Sequence, residues 1–274
     1  AYSEPDPGES AVVRFASIGS GSDGNGTLIQ APYQPAVLVD CGFSAREALS
    51  RMADFGIAAE DIAAILVTHE HTDHIKGVAR LANRCRIPVF TTWGTWAAKL
   101  NGVLDGALFH MITPHEDFQV AGMKVQPVAV PHDAREPCQF VMEHAGHRLG
   151  LLSDVGSVTP HMLDCYADCH ALMLECNHDL AMLAEGPYPA SLKRRVSGPL
   201  GHLNNQQSAD MLSQLDQSGL QHLVVAHISQ KNNHPDLAVE ALLDKGRCSE
   251  SIIRLATQNS GLDWLSVQAT ENRS

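Results

Sequence analysis

The chain has 274 residues, 44% of them hydrophobic and 18% charged, and its formal net charge is −12. This composition is ordinary for a soluble globular protein, and the acidic balance argues against a protein that coats nucleic acid through general positive charge. A nuclease is not excluded, because a metal site and one basic patch supply positive charge locally.

The first predicted elements are antiparallel strands, and helices and strands then alternate. Residues 1–10 are polar and are expected to form a disordered tail, not a signal peptide. Helices are predicted at 44–55, with Ser44 as N-cap, and at 75–84. Strands are predicted at residues 11–18, 27–30, 36–40, 64–68 and 88–91.

The second half is also a mixture of strands and helices. Helices are predicted at 179–184, 206–217 and 235–244, and residues 185–201 form a long basic connection that can move. The order of elements predicts two sheets sandwiched between helices, in a single domain over residues 11–274. Strands are predicted at residues 109–113, 117–120, 123–130, 138–144, 148–153, 171–175, 223–226, 252–256 and 262–267.

Cysteine usage and hydropathy predict where the chain works. Its seven cysteines are scattered without a C-x-x-C pair, so neither a disulfide framework nor a structural zinc knuckle is indicated. That usage fits the reducing cytoplasm. No segment approaches the roughly 20 apolar residues that a membrane-spanning helix requires, so no membrane partner is expected.

The segment HEHTDH at 69–74 follows a buried strand and precedes a helix. A loop at the carboxyl end of a strand is where layered α/β folds usually display their chemistry. On an extended backbone His69 and His71 point the same way, and Asp73 and His74 then turn towards an adjacent second metal. Imidazole and carboxylate suit zinc, manganese or iron. The segment therefore predicts a metal site instead of a histidine-rich surface loop.

A cluster this local needs distant ligands to complete two metal sites. His132, Asp154 and His227 each stand where a strand of hydrophobic residues ends. A lone histidine at a strand end is more often a surface or hydrogen-bonded residue. Four strand ends of the same character favour ligands instead.

These motifs in this order resemble the metallo-β-lactamase superfamily. Asp40, in the segment LVDCG, matches the buried aspartate that members place before the first helix. The resemblance covers the chain from about residue 12 onwards and implies an α/β fold, the αββα sandwich of two mixed β-sheets flanked by helices. Further segments are similar to the bacterial, cytoplasmic, exonuclease-like YycJ/WalJ branch: GSGSDGNG, LECNHD, GPYP, LKRR, GHL and HIS.

The resemblance also implies two divalent metal ions, zinc or manganese, with iron as a further choice. Two cations a few ångströms apart would share and acidify a water, giving metal-bound hydroxide near neutral pH. Asp73 would also orient that hydroxide or accept its proton. By the same resemblance, the first ion would be held by His69, His71 and His132, and the second by Asp73, His74 and His227, with Asp154 bridging.

A second catalytic pair is implied by the segment Gly201-His202-Leu203-Asn204. It resembles the Gly-His-Leu-Thr segment of tRNase Z-type phosphodiesterases, where the histidine contacts the scissile phosphate and helps to protonate the leaving oxygen. Glu175 is the candidate for the glutamate that orients this histidine. Asn204 departs from the threonine of tRNase Z, which argues against a role in tRNA processing. The alternative is that Glu175 and His202 are structural polar residues.

Four further residues are candidates for substrate binding. His178 stands near the start of a predicted helix, where it either faces the cleft or caps the helix. Lys193, Arg194 and Arg195 either grip phosphates beyond the scissile one or form a solvated face.

The leading functional hypothesis is a phosphodiesterase that acts on nucleic acid, with DNA favoured over RNA, as a 5′-to-3′ DNA exonuclease. The alternative is a small-molecule phosphodiesterase of a cyclic-nucleotide or phosphonate pathway, with weak β-lactam hydrolysis as a side activity. The acidic net charge favours this alternative. A third hypothesis is a non-catalytic binding module that retained the fold, and the complete set of seven candidate ligands argues against it.

Overall fold

Two seven-stranded sheets organise residues 11–269, the part of the chain that the computed structural model describes. The tail expected at residues 1–10 lies outside the described residues. The first sheet has the order β14-β1-β2-β3-β4-β5-β6, antiparallel from β14 to β3 and parallel from β3 to β6. Its strands are β1 (Ala11–Gly19), β2 (Gly26–Gln30), β3 (Ala36–Val39), β4 (Ile62–Leu66), β5 (Val89–Thr91), β6 (Phe109–Met111) and β14 (Leu262–Gln268).

The second sheet repeats this arrangement with the order β13-β12-β11-β10-β9-β8-β7. It is antiparallel from β7 to β10 and parallel from β10 to β13. Its strands are β7 (Phe118–Val120), β8 (Met123–Ala129), β9 (Cys138–His144), β10 (His147–Leu152), β11 (Ala171–Glu175), β12 (His222–Ala226) and β13 (Ile253–Leu255).

Helices cover the outer face of each sheet. α1 and α3 pack on the first sheet, and α5, α8 and α9 pack on the second. A five-residue π-helical turn (Trp96–Leu100) follows α4, and short 3-10 turns lie at Ala59–Asp61, Gly106–Leu108 and Glu250–Ile252. The helices are α1 (Ala45–Asp54), α2 (Thr72–Ile75), α3 (Val78–Cys85), α4 (Trp93–Thr95), α5 (Pro160–Tyr166), α6 (Leu180–Glu185), α7 (Ala190–Val196), α8 (Asn205–Ser213) and α9 (Pro235–Asp244).

The strand sequences explain the layers. β3 contributes Val37 and Val39 to the apolar cluster between the sheets, and Leu38 to the cluster beneath α1 and α3. Because successive side chains of a strand point to opposite faces, a strand buried on both faces is hydrophobic throughout. Phe15 and Phe140 bring the two sheets together from opposite sides of the same cluster. The predicted αββα sandwich of two mixed sheets is confirmed.

Three local predictions need correction. Residues 185–201 are not an irregular connection, because α7 occupies Ala190–Val196. The helix predicted at 75–84 is two helices, since α2 ends at Ile75 and α3 begins at Val78. The sequence analysis did not predict α5 at all. None of the described helices is long and apolar enough to cross a membrane.

Candidate metal and catalytic site

The candidate ligands lie together at one edge of the sandwich, where strands of both sheets end. His69 follows β4, His132 follows β8, and His227 follows β12 directly. Asp40, Asp154 and His227 have φ values of 62°, 55° and 53°. This left-handed conformation is uncommon outside glycine and turns the chain sharply as it leaves the strand. The backbone therefore presents these side chains to a common space.

The loop after β3 fixes the position of α2, which carries two of the candidates. Gly42 approaches so closely that a Cβ atom there would lie 1.7 Å from the carbonyl oxygen of Asp73. The backbone N–H of Cys41 donates to the carbonyl of His74 at 2.8 Å, and that of Asn25 donates to the carbonyl of Asp73 at 2.8 Å. Asp73 and His74 are thus held by backbone contacts with the first sheet.

The first ligand group consists of His69, His71 and His132, each of which offers a ring nitrogen within 4.8 Å of the others. The outer nitrogens are held: Nδ1 of His69 lies 3.0 Å from Thr68 Oγ1, and Nδ1 of His132 lies 3.0 Å from the Gly201 carbonyl. Nε2 of His69 is buried without a hydrogen-bond partner. Burial lowers the pKa of both His69 and His132. They are therefore neutral, as metal ligation requires.

The second ligand group consists of Asp73, His74, Asp154 and His227, whose ligand atoms also lie within 4.8 Å of one another. Nε2 of His74 lies 3.0 Å from Asp154 Oδ2 and 3.4 Å from Asp73 Oδ2. Nε2 of His227 lies 3.6 Å from Asp73 Oδ2. Asp154 Oδ1 is also 4.0 Å from Nε2 of His132, so this carboxylate stands between the two groups.

Charge in the second ligand group is balanced between imidazole and carboxylate. Burial would lower the pKa of His74, but Asp154, Asp40 and Asp73 raise it well above its usual value. Burial acts the same way on His227, yet Asp154 and hydrogen bonds to Asp73 and Glu175 raise its pKa to about 10. Burial would raise the pKa of Asp154, but His227 and His74 lower it well below its usual range. A divalent cation on these atoms would replace the imidazolium charge.

A buried carboxylate orients His74 from behind. Asp40 Oδ2 lies 2.7 Å from His74 Nδ1 and accepts a hydrogen bond from the Thr68 hydroxyl at 2.8 Å. Its other oxygen accepts from the Thr68 backbone N–H at 2.9 Å. A carboxylate behind a histidine fixes the tautomer and the ring orientation and raises the basicity of the nitrogen in front. Nε2 of His74 is therefore the atom presented to the second ligand group.

Glu175 holds His202 and His227 together. Its Oε1 lies 2.7 Å from Nδ1 of His202 and 3.0 Å from Nδ1 of His227. Its Oε2 accepts from the backbone N–H groups of Val155 and Leu203 at 3.0 and 3.1 Å. Glu175 lies close enough to Asp154 and the two histidines to bind a cation. Because four donors already occupy its two oxygens, we favour an orienting role.

The Glu175–His202 contact shifts both pKa values. Burial would raise the pKa of Glu175, but the charge of His202 and hydrogen bonds from His202 and His227 lower it to about 2. Burial would lower the pKa of His202, but the charge and hydrogen bond of Glu175 raise it. The pair therefore favours an ionised glutamate beside a readily protonated histidine.

A cavity of about 470 Å³ opens onto both groups. Its wall includes Asp154, His202 and His227 from the site, and Arg195 from α7, which also forms an ion pair with Asp133. The cavity is lined by polar and apolar side chains and is open to substrate from outside. Most of the predicted site residues are thus brought together around one space.

Three of the predicted substrate-binding residues lie elsewhere. Lys193 and Arg194 do not line the cavity, and Lys193 donates from Nζ to the Ala184 carbonyl. His178 is fully buried, and burial lowers its pKa to about 4. It neither faces the cleft nor caps α6, because Asp179 is the N-cap. A backbone bridge to Asn204 turns its side chain inward.

Sequence reasoning missed Asn25, which lies in the glycine-rich turn after β1. Its Nδ2 lies 3.1 Å from His74 Nε2 and 3.4 Å from Asp73 Oδ2. Its Oδ1 accepts from the Gly21 N–H at 2.9 Å. The glycine-rich composition indicated a tight connection near the metals, but no pattern singled out this amide.

Comparison with known proteins agrees with this architecture. A family model for the β-lactamase superfamily domain matches residues 36–228. Exodeoxyribonuclease YycJ of Bacillus anthracis is 34% identical over 230 residues, which cover 82% of this chain and 86% of that protein. Exodeoxyribonuclease WalJ of Streptococcus pneumoniae is 30% identical over 229 residues, covering 82% and 85%.

A solved structure shows the same fold at low sequence identity. The metallo-β-lactamase fold protein YhfI from Bacillus subtilis superposes with a TM-score of 0.71 at 16% identity, covering 93% of this chain and 98% of that one. The resemblance stated from sequence and the expectation of a hydrolytic enzyme are confirmed. The chain belongs to the metallo-β-lactamase superfamily, in the branch of the YycJ and WalJ proteins.

Proposed function

We propose that this enzyme is a metal-dependent phosphodiesterase that degrades nucleic acid, and specifically DNA, from the 5′ end towards the 3′ end. The observation that carries the proposal is the Glu175–His202 pair, at 2.7 Å, beside both ligand groups and on the cavity wall. A proton donor for an alkoxide leaving group is useful in phosphodiester cleavage. The identity to two exodeoxyribonucleases supports DNA as the substrate.

Two divalent ions fit the residues present. The buried Nε2 of His69 and Oδ2 of Asp154 have no hydrogen-bond partner, which a bound cation would supply. Their mixture of imidazole and carboxylate suits zinc or manganese, and also iron. When bound, the ions would polarise a phosphodiester oxygen and lower the pKa of an attacking water. We assign the first ligand group to one ion, and Asp73, His74 and His227 to the other, with Asp154 shared.

The chain's own residues move the protons. Because Nδ1 of His202 is engaged by Glu175, its Nε2 is the atom left to carry a proton to the leaving oxygen. Asp73 is 22% exposed at the cavity wall and is placed to orient the attacking water or accept its proton. Arg195, on the opposite wall, is positioned to bind a phosphate. Lys193 and Arg194 do not share that position.

The test uses end-labelled duplex DNA, single-stranded DNA and matched RNA, each with manganese-loaded or zinc-loaded protein. Stepwise shortening of DNA from the 5′ end supports the proposal. Intact polymers, alongside hydrolysis of bis-(p-nitrophenyl) phosphate, would replace it with a small-molecule phosphodiesterase.

Two variants separate the assigned roles. His202→Ala should retain its metal content and lose phosphodiester turnover, whereas Asp154→Ala should lose metal. Metal content is measured by elemental analysis after gel filtration. Equal metal loss in both variants would contradict the role assigned to His202.

A further inference from the structure

An exposed indole stands on the segment that borders the cavity. Trp93 begins α4 and is 55% exposed, although large apolar side chains are usually buried. The π-helical turn that follows carries Lys99, which lines the cavity wall. Such π-helical turns are rare and frequently lie at functional sites. Neither the metal ligands nor the Glu175–His202 pair accounts for this indole.

Trp93 is the outermost member of an aromatic stack. Its ring centroid lies 4.7 Å from that of Trp96, and the Trp96 ring stacks on Phe109 at 4.9 Å with an interplanar angle of 17°. Glu136 anchors the same segment, because it accepts from the Gly94 N–H at 2.6 Å and, through its carbonyl, from the Thr92 hydroxyl at 2.8 Å. The indole is therefore held on a supported platform.

Two exposed cations connect this platform with the cavity. Lys99 belongs to the cavity wall. Arg135 precedes the anchoring Glu136, and its backbone N–H donates at 2.8 Å to Glu70, another residue of the wall. Both cationic side chains are exposed, and none of the ion pairs found among the described residues involves them. An aromatic surface between free cations suits a chain of alternating bases and phosphates.

We propose that Trp93 stacks on a nucleobase of a single-stranded segment that extends from the cavity, while Lys99 and Arg135 bind the adjacent phosphates. This inference rests on the proposed nuclease function. It adds a binding subsite outside the cavity. Stacking on an aromatic side chain tolerates any base, which suits an enzyme that must move along its substrate.

The test compares wild type, Trp93→Ala and Trp93→Phe with a matched variant of an exposed aromatic elsewhere. Tyr33→Ala is that control, because Tyr33 is 67% exposed in the turn between β2 and β3. Binding of a fluorescein-labelled phosphorothioate oligothymidylate of twelve nucleotides, and of its dinucleotide, is measured by fluorescence anisotropy. Hydrolysis of the corresponding phosphodiesters gives kcat and KM.

The expected result is about ten-fold weaker binding of the twelve-nucleotide strand by Trp93→Ala. KM for that strand should rise with little change in kcat, and Trp93→Phe should recover part of the loss. The dinucleotide, which is too short to reach the platform, should bind all variants equally.

Several results would overturn the inference. Equal affinity of wild type and Trp93→Ala for the long strand would overturn it while leaving the nuclease function standing, provided that wild type degrades DNA. An equal loss in Tyr33→Ala, or a change of oligomeric state in Trp93→Ala without a change in affinity, would also overturn it. If wild type neither binds nor degrades nucleic acid, this inference and the proposed function fail together.

Discussion

Replacing Glu175 by glutamine tests how the buried carboxylate serves His202. Glu175 is fully buried, and its two oxygens contact two imidazole nitrogens and two backbone N–H groups. An amide nitrogen at either position faces a pair of former donors, so two of these four contacts are lost. A buried hydrogen bond that is left unmade costs about 1–3 kcal/mol. We therefore expect Glu175→Gln to be destabilised by roughly 2–5 kcal/mol and to remain folded.

The effect of Glu175→Gln on turnover should be mediated by His202. Loss of an oriented proton donor should lower kcat by about two to four orders of magnitude. In a double-mutant cycle, Glu175→Gln combined with His202→Ala should therefore be little slower than His202→Ala alone. Single-turnover rates on end-labelled DNA, normalised to metal content, give the four corners of the cycle. The exposed Glu240→Gln serves as a control that changes neither rate nor stability.

Multiplicative rate losses in the double variant would refute this reasoning. Glu175 would then act independently of His202, for example through His227, whose Nδ1 lies 3.0 Å from the same oxygen. A metal content that falls in step with the rate would point to the same explanation.

Three further outcomes are expected. Gly42→Ala should lose metal and melt at a lower temperature, because its Cβ would lie 1.7 Å from the Asp73 carbonyl, whereas Gly106→Ala, with no atom within 4 Å, should change neither; equal effects would contradict this. Asp40→Asn keeps a residue that tolerates the left-handed backbone, but it removes the charge 2.7 Å from His74 Nδ1. Metal affinity, measured by competition with a chromophoric chelator, should fall about 10- to 100-fold, and an unchanged affinity would remove Asp40 from the site. Treatment with a chelator should lower the melting temperature of wild type, and zinc or manganese should restore it; a melting curve indifferent to both would argue against bound metal.

Strands that are buried on both faces were the most predictable part of the fold. The apolar residues of β4 lead directly into the HEHTDH segment, so both the strand and the site at its end were predicted. α7 has no buried residues, and a helix without an apolar face leaves no periodic signal in the sequence. It was therefore taken for an irregular connection.

The predictable part of the site consists of residues whose chemistry is local to a strand end. Asn25 was not predicted, because its partner Asp73 lies 48 positions away and their contact depends on how two loops meet. The platform at Trp93 was missed for a related reason. Tryptophan is usually at least partly buried, and only the folded chain shows that Trp93 is left exposed beside the cavity.

The candidate ligands are divided between the two sheets. Those on the loop after β4 belong to the first sheet, whereas His132, Asp154 and His227 follow strands of the second. A polypeptide cut between β6 and β7 would give two fragments, each with an incomplete coordination shell. Tight metal binding by the mixed fragments, and by neither alone, would then report their reassociation. During synthesis, the centre would mature only after β12 has left the ribosome, because His227 follows that strand.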